Sequence, residues 1–292
     1  MVPYHTWYHM SRGHFNLLTL ISFPISLPFL STAMDGLIGC AMNRIKTDLG
    51  LAIDYMNIHE CSPAKYQRCV SGQSAKCMQR MRNAAFLSYC APLKDLHIFD
   101  WGVNEEFPVH ALTVLRHPVD RVWSMYRFQT KACYGCKTLK EVYESYSHYN
   151  PDGIGLPNCA GQLMNHQTRN MLTTVNVTNE GKVEQAISDM HNFFTFVGLT
   201  EDMPATATMV GKIFPWLAEH MNGTVRDCPF PHKNSSPSNN GCGPGGTHMP
   251  LPDHPDEETV QLIIEHNQMD MKVYEAAVEL FELQKKVLLE EE

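Results

Sequence analysis

One stretch restricts this chain more than any other: Ala111-Leu-Thr-Val-Leu-Arg-His-Pro-Val-Asp-Arg-Val-Trp-Ser-Met-Tyr-Arg127. Residues 111–115 are an apolar, β-branched run, which predicts a buried strand. Pro118 stops that strand and suits the first turn of a helix, where no N–H is needed. Asp120 falls in the same first turn, where a carboxylate is favoured by the helix dipole. The stretch therefore predicts a strand, a turn at Arg116-His117, and a helix carrying Arg121, Ser124 and Arg127. A guanidinium at a strand end beside a helix N-terminus makes an anion site, because cation and N–H donors converge there. Ser124 lies two helical turns on, so the fold decides whether it reaches the same anion. The alternative is an ordinary strand–helix junction with surface arginines.

Leu115-Arg-His-Pro-Val-Asp-Arg-Val-Trp-Ser124 resembles the 3′-phosphate motif of the Golgi carbohydrate sulfotransferases, in particular the heparan sulfate 2-O and 6-O sulfotransferase group. In that family the pattern is L-R-[D/N]-P-[V/I]-x-R-x-x-S, and its arginine and serine hold the 3′-phosphate of the sulfate donor PAPS. The resemblance puts those roles on Arg116 and Ser124, with His117 departing from the usual acidic or amide residue. It also implies the fold, a P-loop-like three-layer α/β domain with a central parallel sheet flanked by helices. The reaction implied is transfer of a sulfuryl group from PAPS to a carbohydrate hydroxyl.

Composition fits a folded globular protein and narrows its surroundings. The 292 residues, 43% hydrophobic and 18% charged, allow one large α/β domain or two small ones. A formal charge of −8 argues against a general nucleic-acid binder, which needs a basic face. Ten scattered cysteines, an even number, predict disulfides in a secretory compartment. Cys133-x-x-Cys136 has no second pair at ligand spacing, so no metal is expected. Glycosylation sequons at Asn176, Asn222 and Asn234 agree with a lumenal location. With the family resemblance, these features predict a Golgi-lumenal glycoprotein, membrane-anchored in type II orientation.

The N-terminus admits two readings. Residues 15–33 are uncharged and largely apolar, with Arg12 before them and small residues at their end, as in a signal peptide or anchor. Pro24 and Pro28 fit a spanning helix poorly, and Leu17–Phe23 alternatively reads as a first core strand followed by a loop. The expected division is an apolar segment over 1–34 and a sulfotransferase-like domain over 35–292. The resemblance makes the strand reading consequential, because family members open with a strand and a loop, P-K-x-G-[S/T]-[S/T], that cradles the 5′-phosphosulfate. The counterpart here is Pro28-Phe-Leu-Ser-Thr32, which places Ser31 and Thr32 in the donor site but has neither lysine nor glycine. Either the N-terminus lacks or mis-joins the loop-bearing segment, or the donor site is impaired. In the second case the chain binds PAP(S) or glycan without turnover.

Further positions follow from the same resemblance. His97, in Asp95-Leu-His-Ile-Phe-Asp-Trp-Gly102, lies where related enzymes carry their catalytic histidine, and imidazole suits deprotonation of a sugar hydroxyl. His110 and His117 are rivals, expected at the far end of the strand and in the donor turn. Asn165-His-Gln-Thr-Arg-Asn-Met-Leu172 resembles the N-x-Q-x-R-x-L segment of the 6-O group, which makes Gln167 and Arg169 candidates for donor or acceptor contact; a polar helix start is the plain alternative. Asn267-Gln-Met-Asp-Met-Lys-Val-Tyr274 echoes that group's final helix. Elsewhere, periodicity predicts helices over 33–47, 137–150, 181–192 and 257–290, a buried strand over 193–199, and helices and loops over 48–93. Residues 222–257, rich in Pro, Gly, Ser and Asn, read as a long loop.

Overall fold

The computed structural model describes residues 19–23, 54–57, 84–88, 109–134, 137–146, 161–172, 181–215 and 251–290, with side chains from residue 110 onward, 128–134 excepted. Within these ranges five strands form one parallel sheet: β1 (Thr19–Phe23), β2 (Asp54–Asn57), β3 (Ala84–Ser88), β4 (Val109–Leu115) and β5 (Phe194–Leu199), in the order β2-β3-β1-β4-β5. The helices are α1 (Pro118–Tyr134), α2 (Leu139–Ser145), α3 (His166–Met171), α4 (Lys182–Phe193), α5 (Met203–Ile213), α6 (Glu257–His266) and α7 (Gln268–Lys285), with a π-turn at Lys286–Glu290. The fold is α/β. Among the described residues, no helix is long and apolar enough to cross a membrane.

β4 is the strand predicted around 111–115, and it is buried on both faces, as an interior parallel strand requires: Ala111, Leu112, Thr113 and Leu115 are all inaccessible. β5 pairs with β4 from Ala111↔Phe194 to Leu115↔Leu199, and Thr200 N–H extends the pairing to the Leu115 carbonyl. The outer edge of β5 is closed by side chains. Val197 N–H donates to Gln284 Oε1 of α7 (3.3 Å) and Leu199 N–H to Thr206 Oγ1 of α5 (3.1 Å), while the Thr206 hydroxyl donates to the Leu199 carbonyl (2.9 Å). Those N–H groups recur every second residue, the spacing at which a strand presents one edge, and each would otherwise be an unpaired donor in the interior. Gly198 permits the close approach of α5, since a Cβ there would lie 2.5 Å from Thr206 Cγ2.

Beside the sheet, α1 carries a second apolar core. Val119, Val122, Trp123, Met125 and Tyr126 pack with Leu139, Val142 and Tyr143 of α2, Leu163, Met164 and Ile263. α2 begins with a reciprocal cap: Thr138 N–H donates to Glu141 Oε2 (2.7 Å) and Glu141 N–H to Thr138 Oγ1 (3.2 Å). α5 and α6 are capped by Asp202 on Ala205 N–H and by Asp256 on Thr259 N–H.

Three expectations change. The single helix read over 257–290 is two, because Asn267 leaves helical geometry (φ −129°, ψ 32°) and turns its amide inward, as described below. The region 48–93, read as helices and loops, contributes strands β2 and β3, whose few residues lack an apolar period long enough to register. The helix α5 is an addition; its start, Asp202 followed by Pro204 in the first turn, carries a standard N-terminal signal.

Candidate functional site

The turn between β4 and α1 is pinned from two directions. Arg116 N–H donates to Gln167 Oε1 (3.1 Å) and His117 N–H to Glu201 Oε1 (2.8 Å). These backbone donors are therefore taken by the protein rather than left for an anion. The first bond within α1 runs from Arg121 N–H to the His117 carbonyl, so Val119 and Asp120 N–H, in the first turn, have no helical acceptor. Arg116 is half-buried. Burial lowers its pKa, opposed by the charges of Asp120 and Glu201, and the neighbouring Arg121 adds to the lowering.

α1 exposes one stripe. Of residues 118–127 only Asp120, Ser124 and Arg127 are partly accessible, and with His117 in the turn they lie along one helical face. Ser124 thus faces the same side as the turn, about 9 Å along the axis from Pro118 at ~1.5 Å per residue. The motif's second arginine does the opposite. Arg121 is fully buried and pairs with Asp270 Oδ2 (3.3 Å), Asn267 Oδ1 (3.2 Å) and the Gln162 carbonyl. Arg127 is held at the surface by Asp253 (3.0 Å).

Arg121 belongs to a buried polar knot joining three separate parts of the sequence. Asp270 accepts from Gln167 N–H (3.1 Å), Thr168 N–H (2.8 Å) and the Thr168 hydroxyl (2.8 Å), so a carboxylate of α7 caps the N-terminus of α3. Asn165 returns the arrangement: its Oδ1 accepts from Met269 N–H (3.1 Å) and Asp270 N–H (3.2 Å) at the start of α7. It does so from a left-handed backbone (φ 43°, ψ 41°), which asparagine tolerates better than most residues. Asn267 Oδ1 takes Asn165 N–H (2.9 Å), and Asn267 Nδ2 donates to the Ile263 carbonyl (3.0 Å) and Tyr143 Oη (3.3 Å). The helix break at Asn267 is what frees its side chain for this role. Through Gln167 the knot reaches the Arg116 turn.

The histidines divide by position. His110 is near the start of β4, about 20 Å from Arg116 at ~3.3 Å per residue, with Nδ1 3.2 Å from Thr195 Oγ1 and its pKa lowered by burial. His117 sits in the turn with its ring edge-on to Tyr274, centroids 5.3 Å apart. The Tyr274 hydroxyl is pushed up by burial and by Glu201. His166 has its ring beside Asn170 (3.0 Å), and burial together with the charges of Arg121 and Arg169 puts its pKa well below the ordinary histidine value. Arg169 donates to the carbonyls of Asn165 and Gly161.

Of the predicted site residues, Arg116 in the turn and Ser124 on α1 are each partly accessible, and Arg169 is turned to the backbone before α3. His97, Ser31 and Thr32 lie outside the described residues, as do the sequons; the side chains of all ten cysteines are likewise outside them. Sequence reasoning missed Glu201 on the turn and the buried pairing of Arg121. Asp270 was in view only as part of an echoed helix. No family model matches the sequence, and no curated protein does so either.

Proposed function

We propose that the chain is a PAPS-dependent carbohydrate O-sulfotransferase of the Golgi lumen, built on a P-loop-like three-layer domain. The observation that carries the reading is convergence. Three stretches carry the resemblance, 115–124 to the 2-O and 6-O group and 165–172 and 267–274 to the 6-O group. They meet in one polar knot around Arg121 and Asp270 that reaches the Arg116 turn through Gln167.

Sheet topology adds support. β1 and β4 are adjacent, and their onward connections leave in opposite directions, to β2 on one side and β5 on the other. Open α/β sheets bind ligands outside the carboxyl ends of strands at such a switch point. Arg116 directly follows β4 there, and the segment bearing Ser31 and Thr32 follows β1.

In this scheme Arg116 and Ser124 hold the donor's 3′-phosphate, assisted by the first-turn N–H groups of α1. His97 takes the proton of the acceptor hydroxyl as its oxygen attacks sulfur. The new sulfur–oxygen bond forms as the bond from sulfur to the donor's bridging phosphate oxygen breaks, and PAP leaves. Positioning donor and acceptor in line supplies much of the rate. The scheme requires no metal.

A second reading is favoured by one specific observation, the absence of lysine and glycine from Pro28–Thr32. In it the chain recognises PAP(S) or a glycan without turning over. Incubation with PAPS and a panel of glycosaminoglycan acceptors separates the two. Sulfate in the polysaccharide, abolished by His97→Ala, supports the enzyme; tight PAP binding with no transfer supports the second reading; neither result defeats both.

A further inference from the structure

We infer that Gln167 is the residue that fits the Arg116 turn to its anion, by holding the turn with one side-chain atom and donating to the ligand with the other. Gln167 is completely buried, and its Oε1 accepts from Arg116 N–H at 3.1 Å. The opposite amide orientation would set two donors against each other, so Nε2 is the atom left over. Among the described residues that Nε2 has no hydrogen-bond partner. A buried amide without an acceptor is unfavourable, and an oxygen acceptor supplied by a ligand would relieve it.

The surroundings specify that acceptor. Nε2 shares its carbon with the oxygen that accepts from Arg116 N–H, so it lies beside the turn that leads into the first-turn N–H groups of α1. These groups can donate to an anion, and the carboxylates of Asp120 and Glu201 lie beside them, acting on Arg116. The Gln167 backbone is held by its N–H to Asp270 (3.1 Å), a carboxylate that faces Arg121 (3.3 Å), and its side chain by the bond from Arg116 N–H (3.1 Å). The ligand chemistry is therefore a tetrahedral oxyanion, bound by a guanidinium and a rigid neutral amide together. The inference deepens the nucleotide reading and rests on it for the anion's identity, the 3′-phosphate; the amide's role itself is testable with inorganic phosphate.

The decisive variant is Gln167→Glu. Its carboxylate still accepts from Arg116 N–H but presents a negative oxygen where Nε2 stood. Phosphate and PAP titrations are run on the full chain, on Gln167→Glu and on Arg116→Ala, with 5′-AMP as the control lacking a 3′-phosphate. In parallel, the Gln167 side-chain amide resonance of the wild-type chain is followed during phosphate addition, a readout that does not depend on any variant folding. Expected are at least tenfold weaker phosphate binding in Gln167→Glu and a saturable shift of the amide resonance. Unchanged affinity in the variant, or a stationary amide while the Val119 and Asp120 amides shift, overturns the inference even where PAP is preferred over 5′-AMP. Phosphate binding that needs Gln167, with PAP bound no better than 5′-AMP, sustains the inference and defeats the sulfotransferase reading. A wild-type chain that binds neither phosphate nor PAP overturns both.

Discussion

Replacing Asp270 with alanine should be among the most damaging single changes in the described part of the molecule. The carboxylate is fully buried, faces Arg121 at 3.3 Å, and accepts from two backbone N–H groups and a hydroxyl. At that separation the gross attraction is about 5 kcal/mol for an effective dielectric near 20, and desolvation offsets much of it. Removing one partner is a different matter, since Arg121 would be left charged in the interior; such deletions cost about 3–5 kcal/mol. Loss of the cap on α3 adds about 1 kcal/mol. The expected cost is therefore about 4–6 kcal/mol, which lowers the thermal midpoint by about 8–24 °C if each kcal/mol shifts a domain of this size by about 2–4 °C. Arg121→Met should cost less, about 2–3 kcal/mol, because Asp270 keeps its three other donors. Urea denaturation of both single variants and the double variant closes a cycle. The double variant should be at least about 2 kcal/mol less damaged than the sum of the singles. A cost below about 1 kcal/mol for Asp270→Ala, or additivity within about 0.5 kcal/mol, would refute the claim that this pair organises the knot.

Two further outcomes are expected. Stability should fall on mild acidification. His110, His166 and His266 all have lowered pKa values, chiefly through burial, so the unfolded chain takes up protons first as pH drops below about 6.5. Each such histidine contributes a slope of at most about 1.4 kcal/mol per pH unit, fully absent above its unfolded pKa. Melting curves from pH 7.5 to 5 should show a falling midpoint, less steep in His166→Gln; a flat profile contradicts the buried neutral rings. Gly198→Ala should destabilise by about 1–3 kcal/mol, since the added Cβ meets Thr206, whose hydroxyl closes the β5 edge. Chemical denaturation checks it, and an unchanged midpoint would mean that α5 is free to move away.

The parts of the fold that the sequence announced are those with strong local patterns. The run at 111–115, Pro118, the amphipathic period of 181–192 and the apolar 193–199 each encode their element to within a residue or two of its observed bounds. β2 and β3 were not legible, because Asp54–Asn57 and Ala84–Ser88 are too short and mixed to show a period, and only pairing across the sheet makes them strands. The break at Asn267 was hidden for a related reason. Its neighbours are helix formers, and the force ending the helix is a distant partner, Asn165. The site divides the same way. Arg116 and Ser124 could be named from a local motif, whereas the inward turn of Arg121 depends on Asp270, which lies far along the chain. Charge and motif alone do not distinguish an arginine that meets a ligand from one that meets a buried carboxylate.

The central claim is that the Arg116 turn recognises a 3′-phosphate on a nucleotide. Calorimetric titration of PAP and 5′-AMP into the full chain and into Arg116→Ala tests it most directly. The account predicts that PAP binds at least tenfold more tightly than 5′-AMP and that Arg116→Ala erases the difference. Equal affinity for the two nucleotides, or a preference for PAP that survives Arg116→Ala, would contradict it.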